Sequence, residues 1–274
     1  MNIFFTKMHG LGNDFIVIDN FNGRIKLTKE EIVLLCDRHK GIGADGLILI
    51  ESSEKELDSA NSPQADCFMN YYNSDGSGES ICGNGVRCTA KFLKNDYLKN
   101  KDDFLIETRA GTKKVTLEND GTFSANMGKP VFSHLDFPDE KINLEGLELD
   151  FVSMGNPHAV AFVNDLSIFD LEKIGPSIEN DIHFPNRINF ELVKKINDKR
   201  YKMNVWERGC GVTLACGTGA CAVYAIIQKQ EDTRHEITIE LPGGELFISK
   251  NEDGEIMMRG EAKSSFSGEV HLSR

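Results

Sequence analysis

Short runs in which apolar and polar residues alternate recur along most of this 274-residue chain, and many end at Gly-, Asn- or Asp-containing turns. An alternation with a period of two predicts half-buried strands, and short turns of this kind join antiparallel neighbours. Two hairpins are the clearest cases, at Asp120-Gly121 and Asp253-Gly254, because each turn joins two alternating runs. Strands outnumber helices in this prediction, which indicates an α+β fold.

Three segments follow a helical pattern instead. The first runs from Thr28 to about His39, because Thr28 and Glu31 form a capping box and Gly41 is expected to end the helix. The second follows Cys82 and is amphipathic. The third follows Cys216 and is apolar nearly all round, which predicts a central buried helix.

Three features occur twice in the same order, which indicates an internal duplication. A Gly-Asn turn before a strand-like run contains Asn13 in the first copy and Asn156 in the second. The motif Cys82-Gly83-Asn84-Gly85 matches Cys216-Gly217-Thr218-Gly219, and the two Asp-Gly hairpins match as well. The copies are 143, 134 and 133 residues apart, as small loop deletions would produce. Unrelated Gly-rich turns are the alternative interpretation.

The duplication predicts two pseudo-symmetric lobes, each a largely antiparallel sheet wrapped around a central helix, with an active site in the cleft between them. The N-terminal lobe is predicted to contain residues 1–122, joined by the C-terminal tail 265–274. The C-terminal lobe is predicted to contain residues 123–264. The first lobe alone is expected to carry an additional helix, the one that begins after Thr28.

Composition and charge narrow the classes of function. The formal net charge is −12, from 43 acidic and 31 basic residues, which disfavours nucleic acid and anionic membranes as partners. No stretch approaches the roughly 20 apolar residues of a membrane span, and the first ten residues lack a signal-peptide pattern. We therefore expect a cytoplasmic enzyme or binding protein that acts on a small molecule.

The cysteine count is seven, an odd number, so reduced thiols are expected rather than a disulfide framework. The spacing contains no Cys-x-x-Cys and no nearby histidine pair, so no metal site is predicted. Cys210 is expected to be either exposed or packed. The remaining cysteines outside the matched motifs are expected to be small buried apolar residues, namely Cys36, Cys67, Cys88 and Cys221.

Only Cys82 and Cys216 occupy matched positions at the start of Gly-rich helices. Helix N-termini offer unpaired N–H groups and partial positive charge, which should lower a thiol pKa from about 8.5 toward neutrality and bind a carboxylate. Two such thiols on opposite faces of one carbon suit racemisation, because one thiolate removes a proton and the other thiol returns one. A thiol redox or metal-binding protein is the alternative from another class.

A competing motif lies between the first helix and the strand-like run that follows it. Gly41-Ile42-Gly43-Ala44-Asp45-Gly46 satisfies G-x-G-x-x-G, but a dinucleotide site requires a strand before that motif and a helix after it. Here the predicted helix comes first and the strand second. Nucleotide binding is therefore not predicted.

A set of motifs in a fixed order resembles the signature of the diaminopimelate epimerase family, and the resemblance runs almost the full length of the chain. These motifs are Lys7-Met8-His9-Gly10-Leu11-Gly12-Asn13-Asp14-Phe15, Asn73-Ser74-Asp75-Gly76-Ser77 with Cys82-Gly83-Asn84-Gly85-Val86-Arg87, Ser153-Met154-Gly155-Asn156-Pro157-His158, Glu207-Arg208-Gly209 with Ala215-Cys216-Gly217-Thr218-Gly219, and Leu241-Pro242-Gly243-Gly244.

The resemblance implies an isomerase that interconverts LL- and meso-diaminopimelate without a cofactor, on the route to lysine and peptidoglycan. It implies that Cys82 and Cys216 are the catalytic acid/base pair, that His158 and Glu207 adjust the thiol pKa values, and that a homodimer is compatible with the fold. The backbone groups that would bind the reacting carboxylate belong to Gly83, Asn84, Gly217 and Thr218. The other implied substrate-binding residues are Asn13, Asn73, Asn156, Asn189, Glu207 and Arg208.

One position departs from the family pattern. Some members carry a substrate-binding Gln where this chain has Gly46, so that contact must be lost or supplied by backbone or water. The nearest alternative function is that of a proline racemase-like enzyme of the same fold. In those enzymes the motif at the first thiol resembles Cys-Gly-His-Gly, whereas this chain has Cys82-Gly83-Asn84-Gly85.

Overall fold

The computed structural model describes residues 1–53, 64–79, 81–231 and 235–272. Its contacts divide the chain into two compact units, Met1–Ala125 with Gly260–Arg274 and Asn126–Arg259. The boundaries predicted from the sequence are at residues 122 and 264, and the contacts place them at 125 and 259.

The first unit contains two helices, α1 (Lys29–Cys36) and α2 (Gly83–Asp96). Its strands are β1 (Asn2–Gly10), β2 (Asn13–Asp19), β3 (Gly46–Glu51), β4 (Cys67–Asn73), β5 (Asp103–Thr108), β6 (Gly111–Leu117), β7 (Phe123–Gly128), which begins in this unit, and the C-terminal β17 (Lys263–His271). The β17 strand lies antiparallel to β1. The N-terminal and C-terminal strands are therefore neighbours in one unit.

The second unit also contains two helices, α3 (Leu171–Glu179) and α4 (Gly217–Glu231), and a 3-10 turn at Leu166–Ile168. Its strands are β8 (Ile142–Leu144), β9 (Leu147–Ser153), β10 (Pro157–Phe162), β11 (Asn189–Asn197), β12 (Arg200–Glu207), β13 (Gly211–Val212), β14 (Ile237–Leu241), β15 (Gly244–Lys250) and β16 (Ile256–Gly260).

The two units repeat one order of strand pairings. In the first unit β1–β2 is antiparallel, β2–β3 parallel, β3–β4 antiparallel and β4–β5 parallel, followed by the antiparallel pairs β5–β6 and β6–β7. The second unit has the same order in β9–β10, β10–β11, β11–β12, β12–β14, β14–β15 and β15–β16. The helices α2 and α4 occupy the same place in this order. The predicted α+β fold with a duplicated, largely antiparallel unit is confirmed.

The helix after Thr28 begins as predicted and ends earlier than predicted. The Thr28 hydroxyl accepts a hydrogen bond from the Glu31 N–H at 3.2 Å, and the Glu31 carboxylate accepts one from the Thr28 N–H at 2.9 Å. The helix ends at Cys36 rather than near His39. The physical reason is that the Asp37 carboxylate accepts hydrogen bonds from the next turn, including the His39 N–H at 2.8 Å.

The prediction that only the first lobe has an additional helix is wrong, because α3 connects β10 to β11 as α1 connects β2 to β3. The sequence of α3 contains Gly175 and Pro176, two residues of low helix propensity, which concealed it. Gly175 is needed there for packing. A Cβ at this position would lie 2.4 Å from the Trp206 ring.

The helix α4 is the predicted central helix, since its residues from Ala220 to Ile227 are at most 3% exposed. The order of elements around Gly41–Gly46 is also as predicted, with α1 before the motif and β3 after it. Among the residues described, no helix has the length and apolar character needed to cross a membrane.

Candidate functional site

Cys82 lies immediately before α2, in an extended conformation (φ −137°, ψ 116°) that makes it the N-cap residue. Its thiol is half-buried, and Sγ lies 3.6 Å from Asn13 Oδ1, to which it can donate. The same oxygen accepts a hydrogen bond from Asn84 Nδ2 at 3.0 Å. Asn84 Oδ1 in turn accepts one from the fully buried Arg87 guanidinium at 2.7 Å. This chain of contacts fixes the side-chain amides of Asn13 and Asn84 beside the thiol.

A cluster of charges anchors the turn that carries Asn13. Asn13 Nδ2 donates to the Asp45 carboxylate at 3.0 Å, and Arg38 bridges Asp45 and Asp14 with contacts of 2.7 to 3.0 Å. Lys7 donates to Asp14 at 2.5 Å. Burial by itself raises the pKa of Asp14, but the hydrogen bonds from Arg38 and Lys7 outweigh it and hold that pKa far below its ordinary value. The Asp14 carboxylate is therefore ionised across the physiological range.

Asn73 ends β4, and its amide is held by neighbours on the same strand and turn. The Tyr71 hydroxyl donates to Asn73 Oδ1 at 2.8 Å, and Asn73 Nδ2 donates to the Ser77 hydroxyl at 3.2 Å. The Tyr71 ring also explains the departure at Gly46. A Cβ at Gly46 would lie 2.5 Å from Tyr71 Cε2 and 2.7 Å from the Tyr72 carbonyl oxygen. The ring of Tyr71 fills the space that a side chain at position 46 would need.

Cys216 lies immediately before α4 and is 4% exposed. The Gly219 N–H donates to its Sγ at 3.3 Å, and the Thr218 hydroxyl lies 3.4 Å from the same sulfur. Burial raises the pKa of this thiol well above its ordinary value, and the carboxylates of Glu207 and Glu191 raise it further. The expected lowering of the thiol pKa by the helix start is therefore wrong for Cys216, because burial and two nearby acids outweigh the N–H contacts.

Glu207 ends β12 and is half-buried. The Thr213 hydroxyl donates a hydrogen bond to its carboxylate. Burial raises the pKa of Glu207, and the nearby Glu191 carboxylate raises it as well, whereas the hydrogen bond from Thr213 lowers it. The Glu207 charge in turn raises the pKa of the Cys216 thiol.

The Asn189 side chain is hydrogen-bonded to the backbone of Arg208. Asn189 Oδ1 accepts a hydrogen bond from the Arg208 N–H at 3.0 Å, and Asn189 Nδ2 donates to the Pro157 carbonyl at 2.9 Å. The amide of Asn189 is 4% exposed and is used at both ends by protein groups. The Arg208 guanidinium is half-buried and donates to the Asn186 carbonyl at 3.0 Å, which leaves further N–H groups on its fork.

Asn156 and His158 lie in a row of hydrogen bonds that runs from half-buried Thr218 and Asn156 to Glu191. Asn156 Nδ2 donates to the Thr218 hydroxyl at 3.3 Å, and Asn156 Oδ1 lies 3.0 Å from His158 Nε2. His158 Nδ1 lies 2.7 Å from Glu191 Oε1, and both of these residues are fully buried. Glu191 was not among the residues predicted from the sequence. Its one signal was an acidic residue inside the strand-like run Ile188–Val193.

The strand registers identify what stands at the equivalent positions of the first unit. In the parallel pair β10–β11, His158 faces Asn189 and Val160 faces Glu191. In the parallel pair β2–β3, Phe15 faces Gly46 and Val17 faces Ile48. The equivalents of His158, Asn189 and Glu191 are therefore Phe15, Gly46 and Ile48.

The two helix starts consequently have different surroundings. A Cβ at Gly219 would lie 2.5 Å from Glu191 Oε1, whereas a Cβ at Gly85 would lie 3.2 Å from Ile48 Cδ1. The carboxylate of Glu191 approaches the start of α4 at the place where an isoleucine methyl approaches the start of α2. The Cys216 site therefore contains an acid and an imidazole at the positions that Ile48 and Phe15 occupy in the Cys82 site.

Comparison with known proteins identifies relatives over the whole chain. The family model for diaminopimelate epimerase matches residues 5–133 and 151–264. A diaminopimelate epimerase of Acetivibrio thermocellus is 42% identical over 98% of this chain and 99% of its own length. One from Trichodesmium erythraeum is 43% identical over 96% of this chain and 98% of its own length.

Solved structures with the same fold are more distant in sequence. A Bacillus anthracis phenazine biosynthesis protein of the PhzF family superposes with a TM-score of 0.73 at 20% identity, covering 99% of this chain and 100% of its own. A hydroxyproline epimerase from Agrobacterium vitis, with trans-4-hydroxy-L-proline bound, superposes with a TM-score of 0.69 at 14% identity, covering 98% and 91%. These two structures share the fold.

Proposed function

This chain belongs to the diaminopimelate epimerase family, and we propose that it interconverts LL- and meso-2,6-diaminopimelate by inverting one α-carbon without a cofactor. The observation that carries the proposal is the pair of thiols at equivalent helix starts, Cys82 before α2 and Cys216 before α4. The near-complete coverage of the relatives by this chain supports it. The reaction belongs to lysine and peptidoglycan precursor synthesis.

In the proposed reaction one cysteine thiolate takes the proton from the α-carbon, which leaves the bonding electron pair on the substrate. The N–H groups at the helix starts, from Gly83, Asn84, Gly217 and Thr218, would bind the adjoining carboxylate and stabilise the negative charge that spreads onto it. The second thiol then donates its proton to the opposite face of the carbon. Because the two sulfurs exchange protonation states in each turnover, the reverse reaction returns them to the starting state.

The raised pKa of Cys216, which burial causes, supports this residue as the protonated thiol of the ligand-free enzyme. Cys82 is then the residue that has to lose a proton before it can accept one from the substrate. The half-buried position of Cys82 suits such a change of charge better than the 4% exposure of Cys216 does.

The distal end of the substrate carries an ammonium and a carboxylate. Arg208 is proposed to bind the carboxylate through its guanidinium fork, and Glu207 to bind an ammonium or to regulate Cys216 together with His158. The amides of Asn13, Asn73, Asn156 and Asn189 are proposed to complete the shell. Asn189 differs from the other three because it is 4% exposed and both of its amide partners are backbone groups, so its proposed contribution is to fix the Arg208 backbone.

The deciding experiment is incubation of LL-diaminopimelate with purified protein in D2O without added cofactor, followed by NMR and separation of the stereoisomers. We expect deuterium at the α-carbon of the inverted product, and loss of turnover in both Cys82→Ala and Cys216→Ala. Full activity of either variant would exclude the two-base mechanism. Turnover of L-proline or trans-4-hydroxy-L-proline in place of diaminopimelate would favour the proline racemase-like alternative, whose fold is shared.

The cytoplasmic location and the homodimer stay predictions. The oligomeric state is measured by light scattering of the purified chain.

A further inference from the structure

The hydrogen bonds in the row Thr218–Asn156–His158–Glu191 depend on one another, and its last two residues are fully buried. Because Asn156 Nδ2 donates to the Thr218 hydroxyl, Asn156 Oδ1 is the atom that faces His158 Nε2 at 3.0 Å. A carbonyl oxygen only accepts, so Nε2 must carry a proton. The Glu191 carboxylate accepts from the other ring nitrogen at 2.7 Å. Protons on both nitrogens of His158 satisfy each of these contacts, and the Glu191 charge then balances the imidazolium.

We propose that Glu191 is a positioning residue that acts through His158 to fix the orientation of the Asn156 amide. With the imidazolium in place, the Asn156 oxygen is held toward His158 and its NH2 group is held toward the start of α4. Without the Glu191 charge, a fully buried imidazolium loses its counter-ion, and the histidine becomes neutral. A neutral histidine with a bare Nε2 accepts from the amide NH2 and rotates it away from Thr218. The consequence for catalysis rests on the proposed function, in which Asn156 binds substrate.

The equivalent positions of the first unit show that packing alone does not require this acid. Phe15 and Ile48 occupy the positions of His158 and Glu191 and fill the same place with apolar atoms. Burying this glutamate also costs folding free energy. It is fully buried, its Oε2 has no hydrogen-bond partner among the described residues, and its Oε1 approaches Gly219 closely enough to exclude a Cβ. A carboxylate buried in so tight a space is stable only beside a group that offsets its charge, and the imidazole of His158 is that group.

The test is Glu191→Gln, with Glu148→Gln as the matched control. Glu148 loses the same charge in the same unit, but its side chain is 61% exposed and pairs with Lys141. The first readout is independent of activity, namely the 15N chemical shifts of the His158 ring. We expect both ring nitrogens to be protonated in the parent protein and in Glu148→Gln, and one nitrogen to lose its proton in Glu191→Gln. Two protonated nitrogens in folded Glu191→Gln would overturn the proposal.

The second readout is kinetic. We expect KM for diaminopimelate to rise about tenfold in Glu191→Gln with a much smaller change in kcat, since an amide that contacts the substrate before and during reaction acts mainly on binding. In an Asn156→Ala background the same substitution should leave KM unchanged, because its route to substrate binding through the Asn156 amide has been removed. The direct effect of the Glu191 charge on the Cys216 thiol persists in that background and falls on kcat. An equal rise in KM in both backgrounds would show that Glu191 acts otherwise.

A second variant and the activity-independent NMR readout allow the proposal to be tested even if Glu191→Gln does not fold or the protein does not act on diaminopimelate. Glu191→Asp retains the charge on a shorter side chain, so it should keep both ring protons, raise KM less than the glutamine variant and also lose its effect in the Asn156→Ala background. This variant carries the test if Glu191→Gln does not fold. If the parent protein fails to epimerise diaminopimelate, the proposed function is wrong, while the NMR result still decides whether Glu191 controls the protonation of His158.

Discussion

The substitution Gly219→Ala tests the position of the Glu191 carboxylate through stability alone. A Cβ at residue 219 would lie 2.5 Å from Glu191 Oε1 and 3.1 Å from both Cδ and Cγ. Comfortable contacts between such atoms need about 3.5 Å, so the carboxylate would have to move by about 1 Å. That movement stretches the 2.7 Å contact with His158 Nδ1 out of hydrogen-bond range.

The magnitude follows from three contributions. Weakening a buried hydrogen bond to a charged group costs about 1.5–3 kcal/mol, and overpacking of a filled site costs about 1–3 kcal/mol, with partial overlap between the two. Alanine in place of glycine returns at most about 1 kcal/mol of helix propensity. We therefore expect Gly219→Ala to lower the free energy of unfolding by about 1–3 kcal/mol.

The equivalent substitution in the first unit is the control. The tightest contact of a Cβ at Gly85 is with the end of a flexible side chain, Ile48 Cδ1 at 3.2 Å, and its next neighbours, Cys82 Cβ at 3.4 Å and Met69 Sδ at 3.7 Å, lie at ordinary contact distances. Gly85→Ala should therefore change stability by less than about 1 kcal/mol. Both variants are compared with the parent by urea unfolding of the ligand-free protein, followed by circular dichroism. Equal unfolding midpoints for the two variants would refute the placement of Glu191 against Gly219.

Three further predictions address thiol ionisation, the Asn73 amide and a helix start. Burial and two carboxylates raise the pKa of Cys216, so Glu207→Gln should move the pH midpoint of its alkylation by iodoacetamide, mapped by mass spectrometry, to lower pH; a shift upward would contradict this. Tyr71→Phe removes the 2.8 Å hydrogen bond to Asn73 and should lower kcat/KM about 2- to 10-fold in the epimerase assay. Thr28→Ala breaks the capping box and should cost about 1 kcal/mol in urea unfolding with unchanged kcat/KM.

The candidate site could be predicted only as far as its residues repeat or match a motif. Cys82 and Cys216 were found because each starts a Gly-rich helix at an equivalent point of the duplication. The sequence did not predict the role of Glu191, nor that the Tyr71 ring fills the space beside Gly46. Both depend on contacts between strands that are distant in the sequence, and a single acidic or aromatic residue inside a strand carries no signal of its partner.

What the sequence by itself determined is the duplication, the α+β class, the capping box at Thr28 and the helix starts after both cysteines. These features follow from local periodicity, local hydrogen bonding and turn chemistry, which act over a few residues. The helix α3 was concealed because its glycine and proline oppose the local helical signal, while packing against Trp206 requires the glycine.

Only the tertiary structure decided the direction of the Cys216 pKa. The helix start that favours a thiolate is visible in the sequence, but the burial and the two carboxylates that oppose it come from Glu207 and Glu191 on neighbouring strands. Strand register fixes which residues of distant strands are neighbours, and in the β10–β11 pair it places Glu191 two residues beyond Asn189, the partner of His158, and so on the same face of the sheet. Charges in a buried site interact strongly over short distances, so that register affects the pKa of a thiol whose motif differs from that of Cys82 only in having Thr218 where the first copy has Asn84.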